Sequence, residues 1–172
     1  SEIFVFTPKG DFKTMPAGST ALDFAFQIHT FLGSHCIGAK VNHKLVPLSH
    51  KLNSGDQVEI LTSNAQRVQP SWVNFVGTAK AKGKIQSILR KEGRELQKKG
   101  ETILHDWLAQ HELEPSAQRM ERLCEAHNLQ NSEDLLRALG SHTIQLGDDD
   151  MDALTAVSYT HLRAHETDQY LV

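Results

Sequence analysis

Within residues 3–62 the chain places two hairpin signals around one capped helix, and few folds accommodate that order of elements. Residues 3–6 (IFVF) are apolar and β-favouring, and Thr7-Pro8-Lys9-Gly10-Asp11 supplies the proline and glycine of a tight turn before a second strand over 12–15. Pro16-Ala17-Gly18 breaks that strand. Ser19 or Thr20 is placed to cap a helix whose first turn holds Asp23, where a carboxylate meets unpaired backbone N–H groups. The spacing predicts a helix from about Ala21 to about Leu32, with Gly33 in the left-handed position that closes it. Leu22, Ala25, His29 and Leu32 share one face and Phe24, Ile28 and Phe31 the adjoining one, so this helix should pack broadly on a sheet. A second hairpin is expected across Asn42-His43, and a last strand over 57–61 follows the turn Asn53-Ser54-Gly55-Asp56.

Two strands, a helix, two strands and a closing strand make the β-grasp, or ubiquitin-like, order. The fold class is therefore α+β, a β-grasp domain over 1–63 followed by a small all-α domain over 76–147. A short polar linker over 64–75 joins them, and 148–172 is expected to be a disordered or non-native tail. Within the helical part, residues 102–110 put Ile103, Leu104, Trp107 and Leu108 on one side. Pro115-Ser116 opens a helix carrying Met120 and Leu123, and Ser132 caps another that Gly140 ends.

The net charge of −3 conceals a polarised chain: residues 80–99 carry eight basic and two acidic side chains, whereas residues 100–172 carry four and fourteen. The positive charge is concentrated in Lys80, Lys82, Lys84, Arg90, Lys91, Arg94, Lys98 and Lys99, most of them on a predicted helix with Ile85, Ile88 and Leu89 facing inward. Such a face suits a phosphate backbone, whose counterions it would release on binding, or else is merely solvated. No P-loop, GxGxxG or GxSxG motif occurs, so no catalytic residue and no cofactor site is assigned to this chain. His105-Asp106 spells the dipeptide of metal-dependent phosphohydrolases but lies on an amphipathic helix without a second ligand cluster, and Asp148-Asp149-Asp150 with Asp152 reads as a solvated acidic loop. No metal site is expected. Cys36 and Cys124 stand far apart, as two reduced core thiols. With no signal peptide or membrane-spanning run, the chain reads as a cytoplasmic fragment.

The motifs FTPKGD, PAGSTALDFAFQIHT, GAKVN, LVPLS and LNSGDQVEILT closely resemble the TGS domain of long RelA/SpoT-type (p)ppGpp synthetase/hydrolases. TGS domains also occur in threonyl-tRNA synthetases and some GTPases. The segment from Ser71-Trp72 through Lys80, Lys82, Lys84 and Ile85 resembles the basic start of the helical domain that follows TGS in the alarmone enzymes, and LQNSEDLLRALGSHTIQL over 129–146 resembles its end. That resemblance implies a regulatory region, in a parent needing a divalent metal, that senses uncharged tRNA on the ribosome by holding its 3′ CCA end. His29 stands at the second histidine of the family's His-Ile-His motif, here Gln27-Ile28-His29, and the resemblance gives it the contact to the CCA end. Ser34-His35 stands where the family commonly shows a His-Arg pair, so one cation expected near the tRNA end is either missing or replaced by His35. Lys9 and Lys40 are candidates to approach a phosphate, and Lys80, Lys82, Lys84 and Arg90 to lie along the acceptor stem. The other implied partners are the ribosome, the family's synthetase and hydrolase domains, and, in the SpoT-like alternative, acyl carrier protein. Residues 157–172 resemble translated sequencing-adapter DNA, on which reading the four-residue spacing of His161 and His165 carries no meaning.

Overall fold

The computed structural model describes residues 1–155. In its first compact unit, residues 1–91, strands β1 (Glu2–Phe6) and β2 (Phe12–Pro16) pair antiparallel. Helix α1 (Ala21–Ile28) and the short α2 (Thr30–Ser34) then lead into a three-stranded antiparallel sheet of order β4-β3-β5, with β3 Cys36–Val41, β4 Lys44–Val46 and β5 Val58–Thr62. A single parallel bridge from Phe6 to Gln57 links the hairpin to the β5 side, completing the β-grasp arrangement. Asn42 and His43 both adopt positive φ (51° and 70°), the geometry a two-residue hairpin of right-handed twist requires.

Two apolar clusters lie on either side of α1. Ala21 and Phe24 pack with Val5, Met15, Ala39, Val41, Leu52 and Val58. Leu22, Ala25 and Phe26 pack instead with Cys36, Val68, Trp72, Ala81 and Ile85. The polar stretch over 64–75 is therefore seated on the β-grasp domain: Val68 and Trp72 are buried, and the Gln66 side-chain amide donates to the Cys36 carbonyl at 3.0 Å. Val73 and Phe75 pack against the same cluster, so the hydrophobic side chains of this stretch hold it on the core.

Helix α3 (Ala79–Gln110) runs unbroken through the basic stretch, and the division between compact units falls inside it, after Lys91. The domain junction thus lies some way C-terminal to the expected one near residue 76, because Ala81 and Ile85 belong to the first core. In the second unit, α4 (Ala117–Ala126) is capped by Ser116, whose hydroxyl accepts the Arg119 N–H at 3.1 Å. α5 (Ser132–Gly140) is capped by Asn131 rather than Ser132, the Asn131 side-chain oxygen accepting from Asp134 N–H at 2.8 Å. Leu104, Leu108, Leu123, Leu135, Leu139 and Leu154 form its core. Residues 148–155 are helical, not a solvated loop or tail. Asp150 is buried, accepts from Gly147 N–H at 2.9 Å and meets His127 Nε2 at 2.6 Å, which anchors the start of that helix. The sequence expectations for 157–172 lie outside the described residues.

Cys36 is buried beneath α1, and burial pushes its thiol up to about 11, against a smaller lowering contribution from the Gly38 backbone. At pH 8 only about 0.1% would be thiolate. Native protein should therefore alkylate at Cys36 at least about 100-fold more slowly than urea-unfolded protein, as peptide mapping after iodoacetamide would read. Because the folded thiol titrates above the unfolded one, this part of the stability is complete below pH ~9 and is lost as pH climbs towards 11. Comparable rates in the two states would show that the cluster opens locally.

Candidate nucleic-acid interface

The expected helix over 21–32 is broken at His29. Its backbone is extended there (φ −163°, ψ 142°), closing α1 by donating its N–H to the Ala25 carbonyl and opening α2 by accepting the Gly33 N–H, both at 3.1 Å. The ring completes the junction, Nδ1 accepting the Phe31 backbone N–H at 3.0 Å. His29 is consequently exposed at the corner between two helices and not carried on the packed face of one. Gly33 is not left-handed. It is buried against Phe26, where a Cβ would stand 2.3 Å from the ring. A straight helix would carry Gly33 away from Phe26, so this close approach accompanies the break.

Around His29 the surface is apolar and aromatic. Ile28 is 36% and Phe31 49% exposed, and the His35 ring stacks on Phe31 with centroids 4.2 Å apart. Lys84 reaches this corner from α3, donating from Nζ to Thr30 Oγ1 at 2.7 Å. At 100° per residue, Lys80 and Lys91 share the α3 flank of Lys84, whereas Lys82 lies on the opposite flank and Arg90 on neither. His29, His35 and Lys84 are thus brought together. Lys40 sits on the outward side of β3, in register with Leu45 and Glu59, while its neighbours Ala39 and Val41 face α1, so it is across the sheet from the His29 corner. Lys9 is exposed in the β1–β2 turn.

Thr30, whose hydroxyl receives Lys84, was invisible to sequence reasoning because the partner lies 54 residues away. The same holds for the element that fixes α3. Asp23 is 1% exposed, and its carboxylate accepts from Thr20 N–H (2.7 Å) and Thr20 Oγ1–H (2.8 Å) at the α1 start. It also accepts from Gly77 N–H (2.8 Å), Thr78 N–H (3.0 Å) and Thr78 Oγ1–H (2.7 Å) at the approach to α3. One carboxylate therefore caps α1 and tethers the basic helix beside the His29 corner. His105 and Asp106 are both exposed on α3, and no cluster of three metal-ligating side chains occurs among the described residues.

Residues 3–62, the β-grasp part of this arrangement, match the TGS domain family. The chain is 50% identical over 94 residues to a guanosine-3′,5′-bis(diphosphate) 3′-pyrophosphohydrolase of Aquifex aeolicus, covering 55% of this chain and 14% of that protein. It is 53% identical over 96 residues to the bifunctional (p)ppGpp synthase/hydrolase RelA of Mycobacterium tuberculosis, covering 55% of this chain and 13% of that protein. With the GTP pyrophosphokinase of Escherichia coli K12 the similarity extends well past the TGS domain, 39% over 150 residues, or 84% of this chain and 20% of that protein. A TGS domain followed by a helical region with these relatives is consistent with a RelA/SpoT fragment, and the chain spans 12% to 20% of the length of the curated relatives it matches. No helix among the described residues is long and apolar enough to cross a membrane.

Proposed function

We propose that this chain is a regulatory segment of a cytoplasmic (p)ppGpp synthetase/hydrolase, and that it binds the 3′ CCA end of uncharged tRNA at the His29 corner. The single observation that supports this reading best is the convergence of an exposed histidine, an exposed aromatic ring and a docked ammonium group at one break: His29, Phe31 and Lys84. Unpaired bases are read by stacking and edge hydrogen bonds, the phosphates between them by cations, and those are the groups present. The Lys80–Lys84–Lys91 flank would follow the acceptor-stem backbone. Docking on the ribosome would then relieve restraint on the synthetase and hydrolase domains of the parent, which would use a divalent metal; this segment itself carries no part of that chemistry. An esterified amino acid would crowd the same corner and so select for the free end.

Binding of uncharged and aminoacylated tRNA over a salt series, with His29→Ala alongside, tests the reading. The uncharged form should bind at least about tenfold more tightly than the charged form or the variant, a difference of about 1.4 kcal/mol. Lys84→Met should lower the salt slope by about one counterion. Equal affinity for both tRNAs, or no effect at His29, would leave only general RNA affinity. A tight complex with acyl carrier protein that ignores His29 would make the domain a protein-interaction module instead.

A further inference from the structure

The ring of His29 is committed on one edge. Nδ1 accepts the Phe31 N–H at 3.0 Å, so in the neutral imidazole the proton resides on Nε2, at the exposed edge. From this geometry we infer that His29 acts at the RNA end as a neutral Nε2–H donor, and that the feature it reads there is a hydrogen-bond acceptor, such as a terminal ribose oxygen. This deepens the proposed CCA contact and rests on it.

The inference has a consequence opposite in sign to simple charge attraction. A second proton on the ring would convert Nδ1 from acceptor to donor and set it against the Phe31 N–H, removing the side-chain cap of α2 and releasing the ring from its orientation. The charged groups near the corner do not offset this. Asp23 is engaged by Thr20, Gly77 and Thr78, His35 stacks on Phe31, and from α3 Lys84 is held by Thr30 with Lys80 on the same flank. No carboxylate faces the ring among these groups, so the imidazolium gains no partner there to replace the lost cap. Acidification that places the second proton on this ring should therefore lower RNA affinity, where protonation of a surface histidine beside phosphates would ordinarily raise it.

Nitrogen-detected histidine NMR of the whole chain gives the tautomer directly, and a short RNA hairpin ending in CCA with a free 3′ hydroxyl, titrated at pH 8 and pH 5.5 at fixed salt, gives the sign. Wild type should show the Nε2–H tautomer at pH 8 and lose at least about fivefold in affinity on going to pH 5.5, relative to His29→Asn. Asparagine is the informative variant because its side-chain oxygen still caps α2 but places no donor at the far edge; at pH 8 it should bind about tenfold less tightly. An Nδ1–H tautomer, or wild-type affinity that rises relative to His29→Asn at pH 5.5, overturns the inference while leaving the CCA contact intact if His29→Ala still weakens binding. Equal affinity of wild type and His29→Ala at pH 8 removes the CCA contact itself, and this inference with it.

Discussion

Asp23→Ala should cost the first compact unit about 4 kcal/mol, a large share of the roughly 5–15 kcal/mol by which a typical domain is stable. The carboxylate accepts five hydrogen bonds while 1% exposed, three of them from backbone N–H groups of Thr20, Gly77 and Thr78. Alanine leaves all three donors without this acceptor: the buried Thr20 N–H is orphaned, at about 1–3 kcal/mol, and the charge-assisted bonds from the more accessible Gly77 and Thr78 are lost. Asp23→Asn should be milder, about 2 kcal/mol, because one oxygen survives while the new amide faces a donor. Urea unfolding followed by Trp72 fluorescence, in a Trp107→Phe background, should show the midpoint fall by about 2 M for alanine. A shift under about 0.5 M would mean that the α1 cap and the α3 tether are both dispensable. The tether also has a functional consequence: with Gly77 and Thr78 released, Lys84 loses its registration on Thr30, so RNA affinity should drop in the same variant before global unfolding.

The second large effect lies where α3 and α5 cross. A Cβ on Gly140 would stand 1.9 Å from the Leu96 carbonyl oxygen, and one on Gly100 1.8 Å from that of Leu136. Both obstacles are backbone, which cannot swing aside as a side chain does. Gly140→Ala should therefore destabilise the second unit by about 3 kcal/mol, the helices having to part to admit the methyl group. Gly100→Ala sets that clash against a helix-propensity gain of about 1 kcal/mol, and the clash should win by about 2 kcal/mol. Gly83 provides the internal control: it lies in the same α3 with nothing within 4 Å of its Cβ position, so Gly83→Ala should stabilise by about 0.5–1 kcal/mol. Thermal unfolding of the three variants reads the sign directly. Stabilisation by Gly140→Ala would mean that the helices do not cross this closely.

Much of the fold was legible because it depends on neighbours in sequence. Asn42-His43 announces a two-residue turn, Gly55 with a φ of 93° sits in the turn before β5, and Thr20 with Asp23 forms a capping box three residues across. The resemblance in Gln27-Ile28-His29 singled out a residue that the structure places exposed at a helix break, whereas the expected continuous helix misplaced its surroundings. Treating all the lysines of 80–90 as one patch likewise missed that Lys84 alone of them is docked at the corner. The cap of α5 shifted by one residue, from Ser132 to Asn131, since two adjacent polar residues compete for the same role and only the backbone path decides between them.

By itself, then, the sequence determined the order of elements in the β-grasp domain, its turns, the α1 cap and the helical character of the residues beyond Ala79. These are short-range effects in which each residue acts on backbone groups within three or four positions. Tertiary structure decided the rest: where the helix breaks, that residues 64–75 are seated on the core through Val68 and Trp72, and that Asp23 reaches Gly77 and Thr78 while Lys84 reaches Thr30. Each of those contacts joins positions more than thirty residues apart, and only the packing of α1 and α3 about a shared core brings them within hydrogen-bonding distance.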